Sequence, residues 1–523
     1  MLRQRLSVYL LPGWVGLALL VAGYIAFWIG ENYRASYPLE YREGAMLAFT
    51  QLLVDGSNPY ALEHRPVHLN VYGPGYHWAV LPLARIFGNT FQVHRAVSVG
   101  FIVATCLLLG WVLRWDKVSW PFAGVASLLL FIQLGQGLSI VARPDALGLF
   151  LFLASLFLPY RFGFATWSLA ASLGLSLLAF LTKPYFVLGL ALVPLYVFVH
   201  EGKGRGLVLG MAALLSLGLV GVVVGRAYEC YFTETFFVSL NGATRKWRHL
   251  KNIGSGYLVL NFGLVAILLW ALVARAWRSL RTRGSPGPGS DRRSRVDLFD
   301  LRKPLWNVRG NLPAFVLIGD GAALIGLLGL HQGNGVLYYH QLVTPFLLWL
   351  VFRQVDVGWG RPAWALVLLL VNLSWWSTCV PRRPGDYGKE WAALESLLAS
   401  HTQVFNAPNL VHLILRQGKT LYDSGQTECY LLATRRNFTA IAPAYAERGL
   451  AYRRAVEDQI RGQQFDLIAV TPGLSFLLPL QELRKHYRLL DCLPAPMAFD
   501  AYPVDTFPID VWVPKTQPNQ PAP

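Results

Sequence analysis

The sequence predicts an all-α polytopic membrane bundle of about eleven transmembrane helices, followed by a C-terminal extracytoplasmic α/β domain. Three observations carry that expectation. The 523 residues are 54% hydrophobic and only 14% charged, whereas soluble domains carry about 25% charged residues. Apolar runs of about twenty residues recur, each long enough to cross a hydrocarbon core of roughly 30 Å. From Gly385 onward the composition becomes that of a soluble domain.

Spans are expected at 13–30, 97–113, 119–138, 145–159, 165–181, 184–199, 207–226, 257–277, 312–330, 337–352 and 362–379. Arg3 and Arg5 precede the first, and no small-residue cleavage site follows it, so it reads as an uncleaved anchor. Lys and Arg then set the orientation. With the N-terminus inside, the cytoplasmic loops hold Arg114/Lys117, Arg161, Lys203/Arg205, the Gly/Pro/Ser-rich basic stretch Arg275–Arg309, and Arg353/Arg361. An odd number of spans places residues 381–513 outside. In that domain, 403–407 and 465–470 read as buried strands and 412–418, 451–462 and 478–487 as helices, an alternation that implies a parallel core. Residues 514–523 read as a Pro-rich disordered tail. Cys429 and Cys492, both in this outer region, are a chemically allowed disulfide pair. Asp423-Ser424-Gly425 reads as a plain turn, and the Asn437-Phe-Thr sequon carries little weight.

Between the first two spans lies a long polar loop, 31–95, within the transmembrane domain 1–380. It holds Glu40 and Glu43, four histidines, several arginines and the aromatics Tyr60, Tyr72, Tyr76 and Trp78. Long loops dense in ionisable groups are usually functional. Carboxylates three apart share one face if the stretch is helical. Such groups suit general-base chemistry, oxygen ligation of a divalent cation such as Mg or Mn, or a helix start. Aromatic faces such as Tyr60 and Tyr72 stack on sugar rings, and they also build interfacial belts.

Basic residues recur at outer span ends against the usual bias: His94-Arg95, Arg143 and Lys183. Charge at such depth is costly and faces the bundle interior or a water-filled cavity. Arginine suits bidentate phosphate contacts and lysine a point-charge contact. Asp145 is placed to pair with Arg143 or to cap the following helix. His331, Tyr339 and His340 gather at the same outer face, with His64 in the first loop. The net charge of +17 is spread over both membrane faces, which points to phosphate-bearing membrane lipid and away from nucleic acid.

These motifs, YPLEYREG, LLVDGSNPY, NVYGPGYHW, the His94-Arg95 pair, ARPDALGLF, LTKPYF and YYHQLVTPF, resemble the GT-C superfamily of membrane glycosyltransferases. The resemblance is nearest the branch of protein O-mannosyltransferases and bacterial aminoarabinose transferases, glycosyltransferase family 39. The tail segment VFNAPNLVHLILRQGKTLYDSGQTECYLLA is similar to the outer domain of bacterial members. The resemblance implies a GT-C bundle whose first outer loop forms amphipathic helices. It implies inverting transfer of sugar from a polyprenyl-phosphate donor to an acceptor hydroxyl on a glycan, lipid or protein. Glu40 would match the family's first-loop acid, with Glu43 second. Arg95, Arg143 and Lys183 would lie near the lipid phosphate. That acid is commonly Asp, so the base stays open between Glu40 and Glu43. Metal dependence also stays open.

Other classes make different predictions. A transporter predicts internal repeats and broken helices at mid-bilayer, and the sequence shows neither. A non-catalytic glycan-binding protein would tolerate loss of both first-loop acids.

Overall fold

The computed structural model describes residues 2–135, 140–238, 247–270, 273, 312–328, 336–358, 387–425, 442–471, 480–495 and 507–515. Among the described residues the helices that precede the C-terminal domain include α1 Leu2–Arg34, α2 Glu43–Val54, α3 Gly75–Phe87, α4 Phe91–Trp115, α5 Trp120–Gly135, α6 Asp145–Arg161, α7 Thr166–Thr182, α8 Leu188–His200, α9 Lys203–Ala227, α10 Trp247–Leu260, α11 Leu312–Leu328 and α12 Val336–Gly358. They coincide with the expected spans from 13–30 through 207–226, and again with 312–330 and 337–352. The expected span 362–379, part of 257–277 and nearly all of the basic loop lie outside the described residues.

Among the described residues three helices are long and apolar enough to cross a membrane: Val15–Arg34 within α1, α4 and α9. The 25 residues of α9 extend about 37 Å. Its Leu207, Met211, Leu214, Leu215 and Leu219 point outward, an apolar surface that water does not tolerate in such continuity. With α5, α7 and α8 as shorter apolar helices, the chain is an integral-membrane bundle. Asp116, just past α4, accepts hydrogen bonds from Tyr160 Oη at 2.7 Å and Trp349 Nε1 at 2.6 Å. It thereby ties the ends of α4, α6 and α12 together.

The first outer loop folds into α2 and α3, which pack on each other. Gly88, with φ +87°, ends α3, and Thr90 Oγ1 caps α4 by accepting from Val93 N. Glycine is required at Gly73, because a Cβ there would sit 1.9 Å from the carbonyl oxygen of Leu181. The Gly73-Pro74-Gly75 backbone can therefore run against the end of α7, with Gly73 N donating to Thr182 O. This approach sets Tyr72 beside Lys183.

The C-terminal domain contains α13 Gly388–Ala399, β1 Val404–Phe405, α14 Val411–Arg416, α15 Pro443–Arg461, β2 Leu467–Val470, α16 Leu480–His486, β3 Tyr487–Ala495 and β4 Phe507–Pro514. Its four-stranded sheet runs β1-β2-β4-β3. Only β1 and β2 pair in parallel; β4 is antiparallel to both neighbours. The expected parallel core is thus corrected to a mixed sheet, completed by a hairpin over 487–514. Residue 514, expected to open a disordered tail, ends β4; residues 516–523 lie outside the described residues. Cys492 is a free, exposed thiol, while Cys429 and Asn437 lie outside the described residues. The expected turn at 423–425 is present: Gly425 N donates to Asp423 Oδ1 at 2.9 Å.

This domain sits directly on the first loop. Tyr37 stacks on Trp391 with ring centroids 5.9 Å apart. A Cβ on Gly44 would approach Val411 Cβ at 2.8 Å and Pro408 O at 3.0 Å. Arg448 Nη2 donates to Glu63 O.

Candidate active site

Five of the residues singled out from sequence, Glu40, Tyr72, Arg143, Asp145 and Lys183, converge where the loop 35–42, the segments 70–75 and 140–145 and the turn after α7 meet. Arg143 is 2% exposed. Its Nη2 donates to Tyr72 Oη at 2.7 Å, its Nε lies 3.3 Å from Asp145 Oδ2, and its Nη1 lies 3.7 Å from Glu40 Oε1. Lys183 Nζ donates to Asp145 Oδ1 at 2.7 Å. It also lies 4.8 Å from the Tyr72 ring centroid, and the Arg143 guanidinium lies 5.6 Å from the same ring. Cations on an aromatic face are attracted by its quadrupole, so Tyr72 holds Arg143 and Lys183 close together despite their like charge.

Asp145 opens α6 and anchors the set. Its Oδ1 accepts from Lys183, from Tyr185 Oη at 3.1 Å and from Gln341 Nε2 at 3.3 Å. Tyr185 reaches it because the turn Pro184–Val187 presses on α6, where a Cβ on Gly148 would strike the Phe186 ring. Two cations thus face the buried carboxylates of Asp145 and Glu40. Among the described residues no three His, Cys, Asp or Glu side chains group to hold a metal.

Glu40 and Glu43 have different environments. Glu43 is fully buried and accepts four hydrogen bonds: Arg95 Nε at 3.0 Å, Arg95 Nη2 at 2.6 Å, Ala142 N at 2.7 Å and Leu39 N at 2.6 Å. A carboxylate has about four lone-pair sites, so none is left for an incoming hydroxyl. Arg95 is equally occupied. Its remaining N–H groups donate to Asn32 O, Ala35 O and Tyr37 O, which uses all five donors. The Arg95–Glu43 pair fastens the loop to α4 and to the segment before α6. The expected phosphate contact of Arg95 and the expected base role of Glu43 both conflict with this saturation. Glu40 lies in the turn before α2, so the two acids share no helical face. Its Oε2 accepts from Arg42 N at 3.1 Å, and its Oε1 lies 3.7 Å from Arg143 Nη1. Burial raises its pKa above the ordinary carboxylate range, with Arg143 and Arg42 pulling the other way.

Other expected site residues lie elsewhere. Tyr60 is a packing residue whose hydroxyl donates to Tyr72 O, with its ring against Phe49 and Tyr231. His64 sits in a surface turn beside Glu63. His94 lies inside α4, bonded to Asn89 through Nε2. His331 and the side chains of Tyr339 and His340 lie outside the described residues.

Sequence reasoning missed Tyr185, Gln341 and a second buried ion pair. Arg65 and Glu234 meet with both fully buried, and Glu234 also accepts from Asn70 N and from Tyr445 Oη of the C-terminal domain. The available signal was slight: a lone acid in a polar segment, 169 residues from its partner.

No protein-family model matches the chain, and no curated protein does. Among solved structures, the apo form of ArnT from Cupriavidus metallidurans aligns over 96% of this chain and 98% of its own, with a TM-score of 0.53 at 12% identity. The same protein bound to undecaprenyl phosphate aligns over 86% and 80%, with a TM-score of 0.45 at 14% identity. At 12% identity the likeness to ArnT is one of fold and does not single out a family branch. The chain is an integral-membrane protein that shares the fold of ArnT.

Proposed function

We propose that this protein is an inverting glycosyltransferase that moves a sugar from a polyprenyl-phosphate donor to an acceptor hydroxyl. Glu40 is the general base, and Arg143 and Lys183 hold the donor phosphate. The observation that carries the reading is the contrast between the two first-loop acids. Glu43 is saturated by Arg95 and backbone N–H groups, whereas Glu40 faces the Arg143/Lys183 pair with capacity to spare. The fold shared with ArnT supports the same chemistry.

Glu40 takes the proton from the acceptor hydroxyl as its oxygen bonds to the anomeric carbon. The bond from that carbon to the phosphate oxygen breaks, and the electron pair leaves with the lipid phosphate. The anomeric centre inverts, and Glu40 ends protonated. A phosphate is already a good leaving group, so charge stabilisation by Arg143 and Lys183 replaces a strong general acid. The raised pKa of Glu40 suits a base working nearer neutral pH. We place Tyr72 under the two cations and Asp145 behind them, as the groups that fix their spacing. We assign the site and residues 381–513 to the extracytoplasmic side, from the Lys and Arg distribution.

The test is transfer by the purified protein in nanodiscs from a panel of polyprenyl-phosphate sugars, read by mass spectrometry of the products. Release of polyprenyl phosphate coupled to glycosylated acceptor supports the proposal. Transbilayer movement of intact lipid-linked sugar without cleavage would contradict it in favour of a transporter.

A further inference from the structure

Behind Tyr72 lies a buried relay that reaches no substrate. Thr50 of α2, Asn70 of the loop and His77 of α3 are all fully buried. His77 Nδ1 lies 2.8 Å from Thr50 Oγ1, and His77 Nε2 lies 3.1 Å from Asn70 Nδ2. Asn70 Oδ1 accepts from Tyr72 N at 3.0 Å, and Asn70 N donates to Glu234 Oε2 at 3.2 Å.

Hydrogen-bond chemistry fixes the Asn70 amide and the His77 ring proton in this relay. The backbone N–H of Tyr72 is a donor only, so the Asn70 oxygen must face it, and the Asn70 amide cannot be flipped. Its NH₂ group then points at His77 Nε2, which must be an acceptor. His77 Nδ1 therefore carries the proton and donates to Thr50. An imidazolium would set two donors against each other at Asn70. Burial and the nearby His94 lower the His77 pKa, in agreement with a neutral ring.

From this geometry we infer that Asn70 is a positioning residue for the donor-phosphate site, held in its working orientation by the Nδ1–H tautomer of His77. It fixes the backbone at Tyr72, whose hydroxyl and ring in turn place Arg143 and Lys183. The inference rests on the functional reading above and adds to it residues with no contact to the donor.

The experiment uses the full-length protein in nanodiscs with undecaprenyl phosphate as the probe. Histidine-selective ¹⁵N NMR on wild type should show His77 as a single neutral Nδ1–H tautomer at neutral pH, and Asn70→Leu should abolish that restriction. His77→Phe, which removes the acceptor, should weaken undecaprenyl phosphate binding about tenfold. His77→Gln, whose side-chain oxygen still accepts from Asn70, should stay near wild type. Thermal midpoints measured alongside separate folding from positioning: a purely structural role would lower the midpoint and leave the affinity of folded protein unchanged. An Nε2–H tautomer or an imidazolium at neutral pH would overturn the relay. Unchanged affinity in His77→Phe beside a binding wild type would overturn this inference alone. A wild type that binds no undecaprenyl phosphate would overturn the reading of the site itself and take this inference with it.

Discussion

Glu43→Gln should damage the fold and not the chemistry, because Glu43 is the hub of a saturated buried ion pair. The substitution replaces two acceptor positions with an NH₂ group that points at N–H donors from Arg95, Ala142 or Leu39. It also leaves the Arg95 guanidinium, 1% exposed, without a counter-charge. Breaking one partner of a buried pair costs about 3–5 kcal/mol, a large share of a total stability of about 5–15 kcal/mol. The thermal midpoint of purified protein should drop sharply, while turnover per folded molecule stays close to wild type. Removing both charges in Glu43→Gln/Arg95→Met should recover much of the loss, since no buried charge is then unpaired. A Glu43→Gln protein with a wild-type midpoint and no turnover would refute the reasoning and move the base to Glu43.

Three further outcomes follow from the same geometry. Gly73→Ala would drive a methyl group into the Leu181 carbonyl, a backbone clash costing about 1–3 kcal/mol. Calorimetry and donor binding should both show a loss, whereas Gly100→Ala, with open space around it, should not destabilise. Arg143→Lys keeps the charge but loses the planar fork, so isothermal titration should show polyprenyl phosphate affinity lowered about tenfold or more. The pH profile of kcat/KM should be bell-shaped. On the acid side the rate falls as Glu40 protonates, at a pH above the ordinary carboxylate value of about 4.3. On the alkaline side, burial and the Arg143 charge push the Lys183 pKa down to about 7 against the pull of Asp145. Phosphate binding is then present below that pH and lost as pH rises through it. Lys183→Arg should move the alkaline limb upward.

Much of the site was legible because its members break a local rule. Arg143, Lys183 and Asp145 are charges at the outer ends of apolar segments, and the sequence marks them by their cost there. Tyr72 was legible through its Gly/Pro neighbours, which the approach to Leu181 explains. What separates Glu40 from Glu43 was not legible. The two are the same residue type three apart, and the difference is made by Arg95 and Ala142 N, 52 and 99 residues away from Glu43. The Arg65–Glu234 pair and the Gln341 contact are likewise products of long-range packing. In the C-terminal domain, β1 and β2 were readable as buried apolar runs. β3 and β4 were not, because β3 is largely exposed between Tyr487 and Ala495 and carries Pro494, and β4 holds Pro508 and Pro514. His64 and His94 lie beside Glu63 and Asn89, apart from the Arg143/Lys183 cluster.

The central claim is that Glu40 takes the acceptor proton. Glu40→Gln preserves the side-chain shape and can still accept from Arg42 N, so folding should change by no more than about 1 kcal/mol. The most direct measurement is single-turnover transfer from a polyprenyl-phosphate sugar by purified Glu40→Gln, with donor affinity measured on the same preparation. The account predicts transfer slowed by about 10² or more with donor affinity near wild type. Transfer at the wild-type rate by Glu40→Gln, with donor bound, would contradict it.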